Sequence, residues 1–226
     1  MARPEKTKTG LPVDPTAFKN CPKGAGESTA SAKEIIQRYR DDTVAEIRRR
    51  TAKFLKDHDI KVASGSCFYH AHFTAEVLHE QDQPVLVQAG SCSWPRLLLE
   101  QDDGKDTTLT HFSYNWSPKD AASVESMLAG ALPETHIWCA LSNTREIVDV
   151  TTHQLVEQAK VLTGLDWPGP PPPPYLWTIQ RNMPERTLYE PVVAACMLAV
   201  RLYLARFDRP AYLEDYLNQR GIYAQD

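Results

Sequence analysis

The segment Trp167-Pro168-Gly169-Pro170-Pro171-Pro172-Pro173-Pro174-Tyr175 constrains this chain more than any other. Proline locks its own φ, has no N–H to donate and drives the residue before it out of the helical region, so this run can be neither helix nor inner strand. It must be extended polyproline II, a stiff spacer flanked by aromatic residues. The chain therefore divides into a body before the run and a block after it, with the run as a rigid brace between them. The block after it reads as two helices, Thr187 to Phe207 and Pro210 to Arg220. The first is apolar nearly all round and is expected to be buried.

Composition narrows the classes. At 226 residues, one core domain can bury enough apolar surface without disulfides or a structural metal. The five cysteines, Cys21, Cys67, Cys92, Cys139 and Cys196, are odd in number and form no C-x-x-C pair, which points to reduced thiols with separate roles. With 25 Lys plus Arg against 29 Asp plus Glu, no global positive field favours nucleic acid or an anionic membrane. The charged stretch Met1 to Thr9 is followed by no apolar run, and Pro191 to Ala205, interrupted by Arg201, is too short to span a bilayer. The expected compartment is the cytoplasm. Residues 1–30, with scattered Pro, Gly, Lys and Ser, read as a disordered N-terminal arm, and 31–226 as one domain that includes the helical extension after 168–174.

Between arm and brace the pattern is mixed. Ser31 to His58 carries Ile35, Ile36, Tyr39, Val44, Ile47, Phe54 and Leu55 near helical spacing, as one long helix or two short ones; its Arg48-Arg49-Arg50 run reads as a solvated face. Ile60 to Ala63 is a short extended piece, and Cys67 to Gln81 a helix. Pro84 to Ala89, Thr108 to Trp116, His136 to Leu141 and Glu146 to Val150 read as strands, the last two joined by a Ser142-Asn143-Thr144-Arg145 turn. Gln101 to Asp106 is a polar, acidic turn, and Thr152 to Leu162 reads as a helix.

Three residues carry the chemistry. Cys67 follows Ser64-Gly65-Ser66 at a helix start, where free backbone N–H groups and the helix dipole favour a thiolate. His136 opens one strand of the later hairpin and Asp149 closes the other, which puts imidazole and carboxylate nearly opposite each other. A general base oriented by an acid, with its free ring nitrogen facing a thiol, is the arrangement nucleophilic catalysis requires.

Helix-borne Cys67, strand-borne His136 and strand-borne Asp149, in that order, resemble the transglutaminase-like branch of the papain-like cysteine enzymes. The stretch His136-Ile137-Trp138-Cys139-Ala140-Leu141 to Glu146-Ile147-Val148-Asp149-Val150-Thr151 is similar to that family's histidine-led strand, turn, and aspartate followed by a small hydroxyl residue. Gly65-Ser66-Cys67-Phe68 resembles the run around the papain nucleophile. No Gln precedes Cys67 within Ile60 to Ser66, and Asp149 stands where papain-like proteases use Asn, so the likeness is to the transglutaminase-like branch. It covers about Ser64 to Thr152. The resemblance implies an α+β fold, papain-like and transglutaminase-like, with the nucleophile helix packed on a short antiparallel sheet and helical extensions at both ends. It also implies acyl transfer by Cys67, with His136 as base and Asp149 as orienter, on a protein, peptide or small amide substrate and without a cofactor. The oxyanion would be held by the Cys67 N–H and a second donor from Gln88, His111 or Trp116, with Trp94 placed to line a cleft.

Other readings use some of the same atoms. A zinc site of Cys67, His70, His136 and Cys139 is disfavoured because His136 and Cys139, three apart on a strand, point to opposite faces. A non-catalytic interaction module on the same fold would engage a partner through the N-terminal helix or the C-terminal pair. The prolines 170–174 are a further partner candidate, for a module with an aromatic groove. Cys139 and Cys196 are expected in the core, Cys92 near a loop and Cys21 in the arm, while His70 is placed to tune the thiol one turn behind it.

Overall fold

The computed structural model describes residues 31–61, 66–97, 109–129, 135–208 and 210–219. The arm with Cys21, the extended piece at 62–63 and the acidic turn at 101–106 lie outside the described residues. The chain is a mixed α/β protein built on an antiparallel sheet, and no described helix is long and apolar enough to cross a membrane.

The first helix is single. α1 (Ala32–Asp57) starts with a capping box, in which Ser31 Oγ accepts from the Glu34 N–H and the Glu34 carboxylate accepts from the Ser31 N–H. Its buried stripe Thr43, Val44, Ile47 and Thr51 lies against α2 (Ser66–Glu80). Arg50 makes a two-pronged ion pair with Glu80 across that contact. The arginine run is not one solvated face. Arg49 pairs with Glu46, whereas half-buried Arg48 turns inward and donates to Val150 O at 3.1 Å and Pro174 O at 2.6 Å.

β1 (Val85–Leu97) runs past the expected end at Ala89 and organises the sheet. Its residues 85–90 pair with β3 (His136–Leu141), and its residues 92–97 with β2 (Leu109–Tyr114). The Cys92↔Tyr114 and Gly90↔His136 pairings bring the end of β2 beside the start of β3. β4 (Glu146–Asp149) and β5 (Leu176–Ile179) extend the sheet beyond β3, and β6 (Leu188–Pro191) joins β1 at residues 90–93. The helix α3 (Ala121–Leu128), capped by Asp120, and the strands β5 and β6 are absent from the sequence reading.

Both faces of the sheet are covered, so all six residues of β3 are buried. On one face Ala89, Ile137, Cys139 and Val148 meet α2 and α5 (Val193–Arg206). On the other, Trp94, Phe112, Tyr114, Trp138, Leu176 and Tyr189 cluster with Leu155 and Ala159 of α4 (Leu155–Thr163), which follows a 3₁₀ turn at Thr152–Gln154.

The block after the brace is therefore not a purely helical extension. The helix expected from Thr187 begins at Val193, because Leu188–Pro191 is recruited as a strand and Pro191 cannot continue a helix inward. Nor is α5 buried all round: it seats Ala195, Ala199, Val200 and Tyr203 while leaving Val193, Met197 and Leu204 exposed. α6 (Ala211–Gln219) closes the described chain.

The brace is clipped along its length. Trp167 Nε1 donates to Pro170 O, Thr152 Oγ1 to Pro173 O and Arg48 to Pro174 O. Arg48→Ala is expected to cost about 1–3 kcal/mol, the worth of charge-assisted bonds to carbonyls that are left underbonded. Urea unfolding measures it, and an unchanged midpoint would mean that the clip contributes nothing.

Candidate active site

Packing of α2 on β3 sets the site. Cys139 Sγ donates to Ala71 O at 3.2 Å, which fixes α2 against the strand and brings its first turn, with Cys67, to the His136 end. Cys67 is 5% exposed, His136 1% and Asp149 2%.

The His136 ring is oriented from several sides. Its Nε2–H donates to Asp149 Oδ2 at 2.7 Å, and the ring stacks on Tyr114 (centroids 5.1 Å, planes 19° apart) and on Trp138 (6.0 Å, 21°). Its Nδ1 is buried without a hydrogen-bond partner among the described residues. Burial opposes a charge on this ring. The Asp149 charge and hydrogen bond, with a smaller contribution from the neighbouring Cys67, outweigh it and push the imidazolium up to about 10. As the imidazolium, the ring carries its second proton on Nδ1, beside the Cys67 sulfur.

Asp149 is the most heavily bonded group here. Among the described residues four donors converge on it: His136 Nε2–H and the Tyr189 hydroxyl (2.6 Å) on Oδ2, and the Thr151 N–H (2.8 Å) and Oγ1–H (2.6 Å) on Oδ1. Burial would raise this carboxyl, but the charge and hydrogen bond of His136, then the bonds of Thr151 and Tyr189, hold it well below the usual carboxylate range. The β3–β4 register, Cys139↔Val148 and Ala140↔Ile147, continues to place Asp149 across from Trp138. The two residues are thus diagonal neighbours on one face, not opposite partners, and the bond spans the diagonal.

The second-donor candidates separate. Gln88 lies across from Trp138, and its Oε1 accepts from the Trp138 indole at 2.9 Å, on the face that carries His136. His111 is exposed and alternates with Phe112 and Tyr114, so it points away from His136. Trp116 is buried in the same core cluster as Cys67, but its indole N–H is already donated to Ser123 O at 3.2 Å near the start of α3, which leaves it no donor for an oxyanion. Trp94 belongs to β1, not to a loop. It lines a cleft of about 610 Å³ with Pro95, Trp167 and the prolines 170–173, and its Nε1 donates to the Tyr189 hydroxyl at 3.3 Å.

The zinc set does not converge. His136 Nε2 is taken by Asp149, His70 Nδ1 is bonded to Ser66 O and Cys139 to Ala71 O, and no group of three or more His, Cys, Asp or Glu among the described residues is placed to hold a metal ion. Cys92 is buried in β1 beside Trp94 and Tyr189, not near a loop, and burial pushes its thiol up. Cys196 is half-buried and bonded to Ala89 O.

Sequence reasoning missed four neighbours of the triad. Tyr114 sat in a recognised strand, but alternation alone does not say which set faces the site. Ser66 was read only as part of the run before Cys67, and its bond to Gln154 Oε1, 88 positions away, left no local signal; nor did Gln154 itself or Tyr189, which lies beyond the proline run. Comparison with protein-family models, with curated proteins and with solved structures finds no match to this chain.

Proposed function

We propose that the chain is a cysteine-dependent acyl-transfer enzyme with a papain-like, transglutaminase-like core, in which Cys67 is the nucleophile, His136 the base and Asp149 its orienting acid. The observation that carries the reading is the buried His136 ring, with Nε2 bonded to Asp149 at 2.7 Å and Nδ1, which has no other partner among the described residues, left to Cys67 beside it. The packing of the Cys67 helix across an antiparallel sheet whose strands carry first His136 and then Asp149 supports the same reading.

In this mechanism His136 Nδ1 has taken the Cys67 proton before sulfur attacks the carbonyl carbon of an amide or ester, so the attack starts with His136 as the imidazolium. The oxyanion is held by the Cys67 N–H at the start of α2, with Gln88 the remaining second-donor candidate on the His136 face. The imidazolium then returns its proton to the leaving amine or alcohol, and water or an amine resolves the thioester. Water gives hydrolysis or deamidation, and an amine gives cross-linking of a protein, peptide or small amide. None of these steps requires a cofactor.

The test is the pH dependence of iodoacetamide alkylation at each cysteine, read by peptide mass mapping on the wild type and on His136→Ala. Cys67 is expected to be the fastest-alkylated of the cysteines and to slow roughly tenfold or more without His136. Cys92 and Cys139, whose thiols burial pushes up, are expected to stay inert. Cys67 reacting no faster than an exposed thiol in both proteins would leave the interaction module as the better account.

A further inference from the structure

Asp149 has to present Oδ2, and not merely a negative charge, to His136. Its Oδ1 is pinned from its own strand end by Thr151. The second anchor comes from elsewhere: the Tyr189 hydroxyl donates to the oxygen that His136 uses, at 2.6 Å, from a strand forty positions downstream and beyond the proline run. We infer that Tyr189 is a positioning residue of the triad, holding Asp149 so that Oδ2 stays aimed at His136 Nε2; this rests on the acyl-transfer reading above.

The placement is over-determined. The β1–β6 pairing sets Tyr189 directly across from Cys92, two pairs from where Gly90 faces both His136 and Pro191. The hydroxyl accepts from Trp94 Nε1 at 3.3 Å while it donates to Asp149, so its rotor has one favoured direction. The phenol ring meets Trp94 (83°), Trp138 (83°) and His136 (62°) edge-on, which locks the ring without stacking on the imidazole. Burial also keeps the phenol proton in place, so Tyr189 serves as a donor and not as a proton store. A carboxylate tied to three donors from two segments cannot swing its Oδ2 away from the ring. Tied only by Thr151, it can, and the imidazolium beside Cys67 then loses part of its stabilisation.

The experiment compares the wild type, Tyr189→Phe, Trp94→Phe, Tyr212→Phe and His136→Ala by the pH profile of Cys67 alkylation and by the downfield proton resonance of His136 Nε2–H. Tyr189→Phe keeps the ring packing and removes only the hydroxyl. It is expected to slow Cys67 alkylation about threefold or more and to shift or broaden the His136 resonance. Tyr212→Phe also removes a buried hydroxyl, one bonded to His72 away from the triad, and is expected to leave both readouts at wild-type values. Trp94→Phe, which frees the Tyr189 rotor, is expected to act in the same direction with a smaller amplitude, and it carries the test if Tyr189→Phe does not fold. A wild-type profile and resonance in Tyr189→Phe, with His136→Ala still slowing Cys67, overturns the positioning role and leaves the triad standing. No effect of His136→Ala overturns the triad reading and this inference together.

Discussion

Asp149→Ala is expected to destabilise the fold by about 3–5 kcal/mol, the cost of breaking a buried ion pair from one side, and not merely to silence Cys67. Removing the carboxylate leaves the His136 Nε2–H, the Tyr189 hydroxyl and both Thr151 donors without their acceptor in a region that water does not reach. Asp149→Asn keeps the volume and one acceptor oxygen, so it should fold while losing the charge that sustains the imidazolium. The two variants separate stability from chemistry: both should lose the enhanced alkylation of Cys67, and only the alanine should show a collapse of the unfolding midpoint. A stable Asp149→Ala protein would mean that the four bonds contribute little.

The ion pair also sets a pH window. Asp149 is lowered from 3.8 on folding, so its contribution is present above that value and is lost as pH falls through the lower folded pKa. His136 is raised from 6.5 to about 10, so its contribution is complete below 6.5 and is lost as pH rises toward 10. The stability advantage of the wild type over Asp149→Asn should therefore be greatest between about pH 4 and 6.5 and shrink on either side, which thermal unfolding of the pair across pH would register.

The site was legible where it depends on short-range pattern. A helix start bearing Cys67 and a hairpin bearing His136 and Asp149 can be read from spacing, because helix starts and hairpin turns are local events. The detail of the pairing was not legible: the true register makes the two residues diagonal, and spacing around Asn143 does not resolve a shift of that size. β1 ran on through Gly90, Ser91, Ser93 and Pro95, poor strand formers that are held extended by pairing with β2 and β6. Leu188–Pro191 looked like the first turn of the following helix because the apolar period of α5 carries back into it, and only the long-range pairing with β1 makes it a strand. The same contact brings Tyr189 to Asp149, so this neighbour of Asp149 from the C-terminal block could not be inferred locally.

That contact depends on a glycine, and Gly90→Ala is expected to be strongly destabilising although it adds a single methyl group. A Cβ at residue 90 would overlap the Glu190 carbonyl oxygen and come within 2.7 Å of Val192 N and 3.2 Å of Pro191 C. All three are backbone atoms of β6 or of the residue that follows it, and Val192 N–H is already bonded to Ala89 O at 2.9 Å, so no side chain can swing aside to make room. The strand itself must retreat, at a cost of about 3 kcal/mol, the upper end for overpacking. Retreat of β6 withdraws Tyr189 from Asp149, so the variant should lose alkylation enhancement at Cys67 although residue 90 bears no functional group. The route of that loss can be measured. If it runs through Tyr189, adding Tyr189→Phe to Gly90→Ala should change the alkylation profile little further, because the hydroxyl has already left. Full additivity of the two changes would instead place the effect of Gly90 in the β1–β3 pairing with His136, and β6 would then be a structural strand only.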